Sequence, residues 1–425
     1  MNILSIIIRT AFITILLSFI FNIEANAEWK NEVFKKNIET VYCHRADGKL
    51  DPPIIQLNTG EKLTLEFDDL NIEQTIYFYK VVHCSWNWET SDLNENDYVE
   101  GFGTNEVYNY TYSFNTRKDY THYWLTLPNN DLDFKLSGNY IVQIFEDNDP
   151  NKLVLTRRIM VYENETPIKM SVKATAVVAE RDTKQEIDFT VSTGRLNLYN
   201  VYEEIHAVIL QNMRWDNAIT NLQPKYLKGN ELIYDFEKTN SFDGGNEYRK
   251  FDLKDLTYQS DRIAGILTDS TLIRIYLHLD EKRTFKRYTT WEDLNGNFLI
   301  KKDRSIDSDA EADYVWVYFT LPFDFPLQNA DLYIAGQFTD YIYNDRYKLN
   351  FDFEKRAFKA RILIKQGYYN YSYMLVDKNK NVGHMAYIEG SHFHTNNLYH
   401  VLIYYSDTNK YYDRLVGVAY KESHL

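Results

Sequence analysis

The sequence has very few cysteines, and the two it has lie far apart. Cys43 and Cys84 are the only ones in 425 residues, and neither sits at a zinc-finger or dithiol redox spacing. In an exported protein the oxidising compartment permits a disulfide between them. The alternative is two separate buried thiols. Because a disulfide requires the two Cβ atoms to meet, both alternatives stay open at this stage.

Long apolar runs are absent after residue 27. No later segment has the ~18 consecutive apolar residues that a membrane-spanning helix requires. Positive charge is also in deficit, and the formal net charge of -14 repels nucleic acid and anionic lipid. Residues 1–27 carry one positive charge, an apolar run and the small-residue pattern ANA, which together predict a secretory signal peptide. We expect a periplasmic mature chain from Glu28, without a lipid anchor or membrane insertion.

Aromatic residues are abundant and favour a β-rich fold. The chain has 36 Tyr and 24 Phe, residue types enriched in strands and interfaces. Segments such as 62–67, 185–191 and 314–321 alternate apolar and polar residues with the period of a strand. The length and spacing predict an all-β protein of tandem immunoglobulin-like β-sandwich domains, at 28–165, 166–312 and 313–425. We expect the charged stretch 301–313 to be a solvated linker.

The sequence offers no assembled set of catalytic groups. It contains no nucleophile elbow, and the glycines at 244–245 lack the Lys-Ser/Thr of a phosphate loop. The best metal candidate is His392 and His394 with His400 nearby, but no carboxylate or cysteine stands at a recognised ligand spacing. Acidic pairs such as Asp68-Asp69 are interpreted as turn residues. We therefore predict no catalytic residue, metal or cofactor, and keep a hydrolase as a remote alternative.

The large aromatics include candidates for a binding surface. Trp86 and Trp88 stand two residues apart, and tyrosines alternate at 108–112 and 368–373. Such alternation leaves one set in the core and the other on a surface, where Tyr and Trp are typical binding anchors. The alternative is that the outer set lines contacts between domains.

Several segments in a fixed order resemble one known family. They are 51–55 (DPPII), 67–70 (FDDL), 83–86 (HCSW), 98–102 (YVEGF), 115–116 (NT), 120–123 (YTHY), 136–140 (LSGNY), 211–212 (QN), 244–252 (GGNEYRKFD), 365–371 (KQGYYNY) and 413–418 (DRLVGV). Taken together they are similar to the type IX secretion system plug protein family of Bacteroidetes, over nearly the whole mature chain.

The resemblance implies a periplasmic protein that docks on the outer-membrane β-barrel translocon, called SprA or Sov, and occludes its pore from the periplasmic side. It implies peripheral association with the outer membrane through that partner, and a protein that is monomeric on its own. A role of this kind requires reversible contact rather than catalysis.

A second resemblance concerns the last predicted domain. Residues 332–341 (LYIAGQFTDY) are similar to the start of glycogen- and starch-binding sandwich modules, in which an aromatic platform stacks on sugar rings. Tyr341 occupies the position that usually holds Trp, and a second platform is missing. We expect the fold to be retained and sugar binding lost, with an envelope glycan-binding protein as the alternative function.

Overall fold

The computed structural model describes residues 28–71, 73–269, 272–378, 382–407 and 410–423. The predicted signal peptide, 1–27, lies outside the described residues. In the described residues nearly all regular secondary structure is β-strand, in sheets that pack face to face, which confirms the predicted all-β sandwich class. The strands expected at 62–67, 185–191 and 314–321 are present, with their ends shifted by at most two residues.

The N-terminal part contains the following strands: β1 (Glu32–Val33), β2 (Ile38–Arg45), β3 (Ile54–Gln56), β4 (Leu63–Asp69), β5 (Tyr77–Cys84), β6 (Val99–Gly101), β7 (Asn105–Glu106), β8 (Asn109–Tyr112), β9 (Thr121–Leu127), β10 (Leu132–Phe134), β11 (Gly138–Glu146) and β12 (Leu153–Tyr162). One sheet has the order β1-β12-β11-β5-β7, with β3 also paired to β12, and the other has the order β2-β4-β9-β8. The short strands β6 and β10 pair with each other.

The two larger sheets enclose one aromatic-rich core, which makes this part a sandwich. Phe67 of β4 stacks on Tyr123 of β9 with ring centroids 5.2 Å apart, and Tyr77 of β5 meets Tyr123 edge-on at 4.9 Å. All three rings are buried. Offset and edge-to-face arrangements of this kind are the favourable ones for aromatic pairs.

The middle part and the chain end form a second sandwich. Its strands are β13 (Ile168–Ala174), β14 (Lys184–Ser192), β15 (Ile205–Gln211), β16 (Ile219–Leu222), β17 (Tyr226–Lys228), β18 (Glu231–Tyr234), β19 (Ser241–Asp243), β30 (Leu398–Asp407) and β31 (Tyr412–Glu422). One sheet has the order β13-β14-β18-β17, with β19 on β14, and the other has the order β16-β15-β30-β31.

The remaining strands make one large curved sheet around a third core. They are β20 (Arg249–Asp252), β21 (Ile263–Thr268), β22 (Ile273–Leu277), β23 (Phe298–Ile300), β24 (Tyr314–Pro322), β25 (Ala330–Ala335), β26 (Lys348–Asp352), β27 (Ala357–Lys365), β28 (Gly367–Asp377) and β29 (Gly383–His384). Their order is β20-β28-β25-β26-β27-β24-β22-β21, with β23 and β29 also on β28.

These sheets group the strands differently from the three consecutive segments predicted. Strands β20, β22 and β23 precede the expected boundary at 312–313 and nevertheless pair with strands beyond it, and β21 joins the same sheet through β22. Near the chain end, β30 returns to pair with β15, and β31 pairs with β30. The physical reason is that strand pairing depends on which edges meet in space, and nothing in the local pattern encodes a partner some 190 residues away.

The sheet containing β15 and β30 is covered on both faces. Along β15, Ala207 and Ile209 point into the second core, whereas Val208 and Leu210 pack with Ile141 of β11 on the N-terminal sandwich. Because successive side chains alternate faces, a strand that reads as continuously apolar is typical of a sheet buried on both sides. This sheet therefore joins the two sandwiches.

The helical segments are short turns: Glu95–Tyr98, Val201–Glu204, Ser308–Glu311 and Ala386–Glu389, with 3-10 turns at Val178–Glu180 and Gln337–Thr339. Within the described residues, none has the length and apolar character needed to cross a membrane.

Candidate functional site

The two cysteines are separate free thiols. Cys43 lies on β2 of one N-terminal sheet and Cys84 at the end of β5 in the opposing sheet. Cys43 packs against the core between the sheets, whereas Cys84 belongs to the cluster that contacts β15 and β30. Burial raises the pKa of both thiols to about 12. No disulfide joins the two cysteines, and Cys84 is buried whereas Cys43 is partly exposed.

Trp86 and Trp88 lie at an internal contact, contrary to the binding surface that we considered for them. Trp86 stacks on His206 of β15 with ring centroids 4.4 Å apart. Trp88 is 2% exposed and meets Trp215 edge-on at 5.1 Å, while the guanidinium of Arg158 lies 4.4 Å from its ring. The N-terminal sandwich thus uses these rings to hold the second sandwich, which was the alternative reading.

Tyr341 is also enclosed, so it offers no platform for a sugar. It is 5% exposed, its hydroxyl lies 2.9 Å from that of Tyr248, and the guanidinium of Arg214 covers its ring at 4.9 Å. Stacking on a sugar requires an open ring face. Arg214 and Tyr248, which precede β20 in the chain, cover the ring instead. The motif at 332–341 does not predict these neighbours.

The three histidines considered as metal ligands do not form one site. His392 and His394 lie beside the ring of Tyr288, at 5.2 and 6.0 Å. His400 is buried within β30, between β15 and β31, where burial lowers its pKa to about 4.

A buried ionic cluster joins the N-terminal sandwich to the third core. Asp68 accepts from the ammonium of Lys365 at 2.6 Å and from the hydroxyl of Tyr314 at 2.6 Å, and its other oxygen lies 2.7 Å from Nδ1 of His122. Burial by itself raises the pKa of Asp68, but the charge of Lys365 and the bond from His122 outweigh it and lower the pKa. Asp68 and Asp69 are thus buried strand residues and not the turn residues expected.

The charged stretch 301–313 is not simply a solvated linker. It contains the turn Ser308–Glu311, and Ala310 and Ala312 are buried. The hydroxyl of Tyr120, in the N-terminal sandwich, donates to the carbonyl of Ala312 at 2.8 Å. The apolar residues inside this charged run therefore anchor it against the sandwich.

The cavity between the N-terminal sandwich and the third core measures about 530 Å³. Residues 28 and 30–33 form part of its wall. Arg157 pairs with Asp340 across it at 3.0 Å, and Arg346 pairs with Glu39. Its volume is that of a small-molecule pocket, but its charged groups already neutralise one another across the two units. We assign it no ligand.

The segment 102–114 carries the most conspicuous exposed aromatics of the N-terminal sandwich. Phe102, Tyr108, Tyr112 and Phe114 are between 52% and 72% exposed. We call these four residues the aromatic edge. The segment also contains β7 and β8, and among the described residues each has a strand partner on one side only.

This combination suits a protein partner. An edge strand presents unpaired backbone N–H and C=O groups, and Tyr and Phe are enriched at protein interfaces. The alternation at 108–112 gave a sequence signal for part of this surface. It did not indicate that the strand lies at the edge of its sheet.

Two comparisons with known proteins give matches. Residues 38–163, which span most of the N-terminal sandwich, match the family model for the first domain of the type 9 secretion system plug protein. The crystal structure of a hypothetical protein from Parabacteroides merdae, at 2.30 Å resolution, is 30% identical in sequence with a TM-score of 0.90. The match covers 93% of this chain and 100% of that one. No curated protein matches the chain.

Proposed function

The chain belongs to the type IX (type 9) secretion system plug protein family, and from this membership we propose that it is a periplasmic plug for the outer-membrane translocon. In the proposed role it binds the β-barrel SprA/Sov from the periplasmic side and occludes its pore when no cargo shuttle is engaged. The observation that carries the proposal is the family match over residues 38–163.

The fold supports a binding role with a large, firmly held body. The second sandwich is fixed to the first through the shared sheet, and the third core is fixed through the Asp68–Lys365 pair. A protein that occludes a pore has to resist deformation. If it deforms, solutes pass through a pore that is wide enough for folded proteins. Buried contacts between the units provide that stiffness.

We place the docking contact at the aromatic edge. It lies within the segment matched by the family model, and Trp86, Trp88 and Tyr341 are all occupied by internal contacts. Four exposed rings next to free strand edges provide apolar area and backbone hydrogen-bonding groups together.

Release of the plug requires a difference in affinity between translocon states. A ligand that binds two states equally shifts no equilibrium. The plug therefore binds the cargo-free translocon more tightly than the shuttle-engaged one, so that engagement of the shuttle expels it.

The decisive experiment is affinity purification of the translocon barrel from native outer membranes, with and without the cargo-shuttle subunit, probing for this protein. Recovery in shuttle-free complexes and loss from shuttle-engaged ones is the expected result. Absence from every complex would refute the proposal. Equal recovery from both would leave binding intact but contradict the expulsion step.

A further inference from the structure

Three side chains that ordinarily bind metals converge where the N-terminal sandwich meets the turn Ser308–Glu311. A carboxylate oxygen of Glu66, a ring nitrogen of His122 and a carboxylate oxygen of Asp309 all lie within 4.8 Å of one another. Glu66 and His122 project from the same face of neighbouring strands, because Asp68, two residues after Glu66, pairs with His122. Asp309 arrives from the opposite side of the interface.

The ring of His122 is held in an orientation suited to a ligand. Its side chain is 8% exposed, and Nδ1 lies 2.7 Å from the carboxylate of Asp68. An ionised carboxylate only accepts hydrogen bonds, so Nδ1 carries a proton and Nε2 is the ring nitrogen left to bind a metal. Among the described residues Nε2 makes no hydrogen bond. A carboxylate on the far nitrogen is the usual support of a metal-binding histidine.

The carboxylate of Glu66 is also held in a fixed orientation. Nδ1 of His44 lies 2.6 Å from the carbonyl oxygen of Arg45, and Nε2 of the same ring lies 3.3 Å from Oε1 of Glu66. Oε2 of Glu66 lies 3.4 Å from the ammonium of Lys49, so both carboxylate oxygens are held in place.

The two carboxylates of this group already hold a cation. The ammonium of Lys49 lies 2.7 Å from Asp309 and 3.4 Å from Glu66, and the Lys49 side chain is 36% exposed. A half-exposed lysine on a flexible stem can leave the position at small cost. A second group, Glu186 with Asp188 and Asp235, also surrounds a lysine, Lys173, but contains no histidine.

We propose that Glu66, His122 and Asp309 form a zinc site in which Zn²⁺ replaces the Lys49 ammonium. Imidazole nitrogens and carboxylate oxygens both bind zinc, and an open zinc site has three protein ligands with water in the fourth position. Zinc–ligand bonds of about 2.0–2.2 Å place tetrahedral ligands roughly 3.4 Å apart, so the three atoms have to close by at most about 1.5 Å. Calcium and magnesium prefer all-oxygen sets and are disfavoured by the imidazole.

Zinc at this position would link two parts of the molecule. Glu66 and His122 belong to the N-terminal sandwich, whereas Asp309 belongs to the segment that leads into β24 of the third core. A metal bound by both strengthens the interface that the Asp68–Lys365 pair already holds. This inference does not depend on the proposed plug function.

The test is calorimetric titration of the metal-free, purified chain from residue 28 onwards with ZnCl₂, with MgCl₂ and CaCl₂ in parallel. We expect one Zn²⁺ per chain and no comparable magnesium or calcium binding. Asp309→Asn and His122→Ala should each weaken zinc binding at least about 100-fold, since a lost ligand costs no less than a lost supporting group. Lys49→Met should strengthen it about tenfold or more, because a competing positive charge leaves the site.

Two controls separate this site from adventitious binding. His394→Ala and Glu186→Gln should leave stoichiometry and affinity unchanged, and circular dichroism checks that each variant is folded. Zinc X-ray absorption should report a single imidazole with oxygen ligands. Failure of both the native chain and the Lys49→Met variant to bind zinc would overturn the proposal. So would zinc binding that survives in folded Asp309→Asn.

Discussion

The ammonium of Lys365 lies 2.6 Å from Oδ2 of Asp68, and the two side chains, 297 residues apart in sequence, are each 1% exposed. Asp68 belongs to β4 of the N-terminal sandwich and Lys365 ends β27 of the third core. The tyrosine rings of Tyr120 and Tyr314 flank the ammonium at 4.2 and 5.9 Å. This pair is the innermost electrostatic link between the two parts.

We predict that Lys365→Met destabilises the protein by about 3–5 kcal/mol, because it leaves the Asp68 carboxylate buried without its cation. The double variant Asp68→Asn with Lys365→Met should recover part of that loss, since no uncompensated charge remains. Urea unfolding measures the change in stability of the single and the double variant. The exposed pair Arg356–Asp324 provides the control, and Arg356→Met should cost less than about 1 kcal/mol. Similar losses at both pairs would contradict this assignment.

The buried ring of Trp88 gives a second prediction. Trp88→Ala should lower the free energy of unfolding by about 3–5 kcal/mol, because it opens a cavity against Trp215 and removes the ring beneath Arg158. Trp316, half-buried on β24 under the guanidinium of Arg361, is the matched control. Its replacement by alanine should cost clearly less in the same thermal or urea melt. Equal losses of stability in the two variants would show that Trp88 contributes no more to the contact than an ordinary half-buried tryptophan.

The aromatic edge gives a prediction about binding without a change in stability. Alanine at both Tyr112 and Phe114 should reduce recovery of the protein with the translocon at least about tenfold, since exposed aromatics near an interface centre typically contribute 1–2 kcal/mol each. The melting temperature should stay the same because neither ring is in the core. Phe353, 76% exposed on the third unit, is the control. If Phe353→Ala weakens binding as much, the docking surface lies elsewhere.

Part of the pH dependence of the free energy of unfolding should come from His83. Burial lowers the pKa of this ring to about 4, against about 6.5 in an unfolded chain. Below pH 6.5 the unfolded state then binds a proton that the folded state does not, so stability is lost as the pH falls from 6.5 towards 4. We expect His83 to account for a loss of about 2 kcal/mol in the free energy of unfolding between pH 7 and pH 5.

His83→Gln removes that titration. Urea unfolding of the native chain and of this variant, each at pH 7 and pH 5, should therefore give a smaller acid-induced loss in the variant. An identical pH dependence in both would mean that the pKa of the ring is the same in the folded and unfolded states.

In the cell, deletion of the protein should make the outer membrane more permeable to large antibiotics when the translocon stands empty. Susceptibility to a glycopeptide is the measurement, with a strain that lacks both plug and translocon as the control. The double deletion should restore resistance, because the pore itself is then missing. Unchanged susceptibility in the single deletion would count against occlusion.

The sequence by itself indicated many of the longer strands and, in strands that alternate, which residues face a core. In β4, Leu63, Leu65 and Phe67 alternate with Thr64, Glu66 and Asp68, and the apolar set is indeed the one that packs inside the sandwich. The order of short segments was likewise enough to indicate the family that the comparison over 38–163 supports.

Only the tertiary structure decided what covers the other face of those strands. Alternation predicts that Glu66, Asp68 and His122 lie on a polar face, and a polar face ordinarily faces water. Here the third core and the segment 301–313 cover it with complementary charge, and the return of β30 to β15 is equally invisible in the local pattern. Periodicity reports on a residue's own strand, whereas burial of polar groups and strand pairing depend on partners hundreds of residues away.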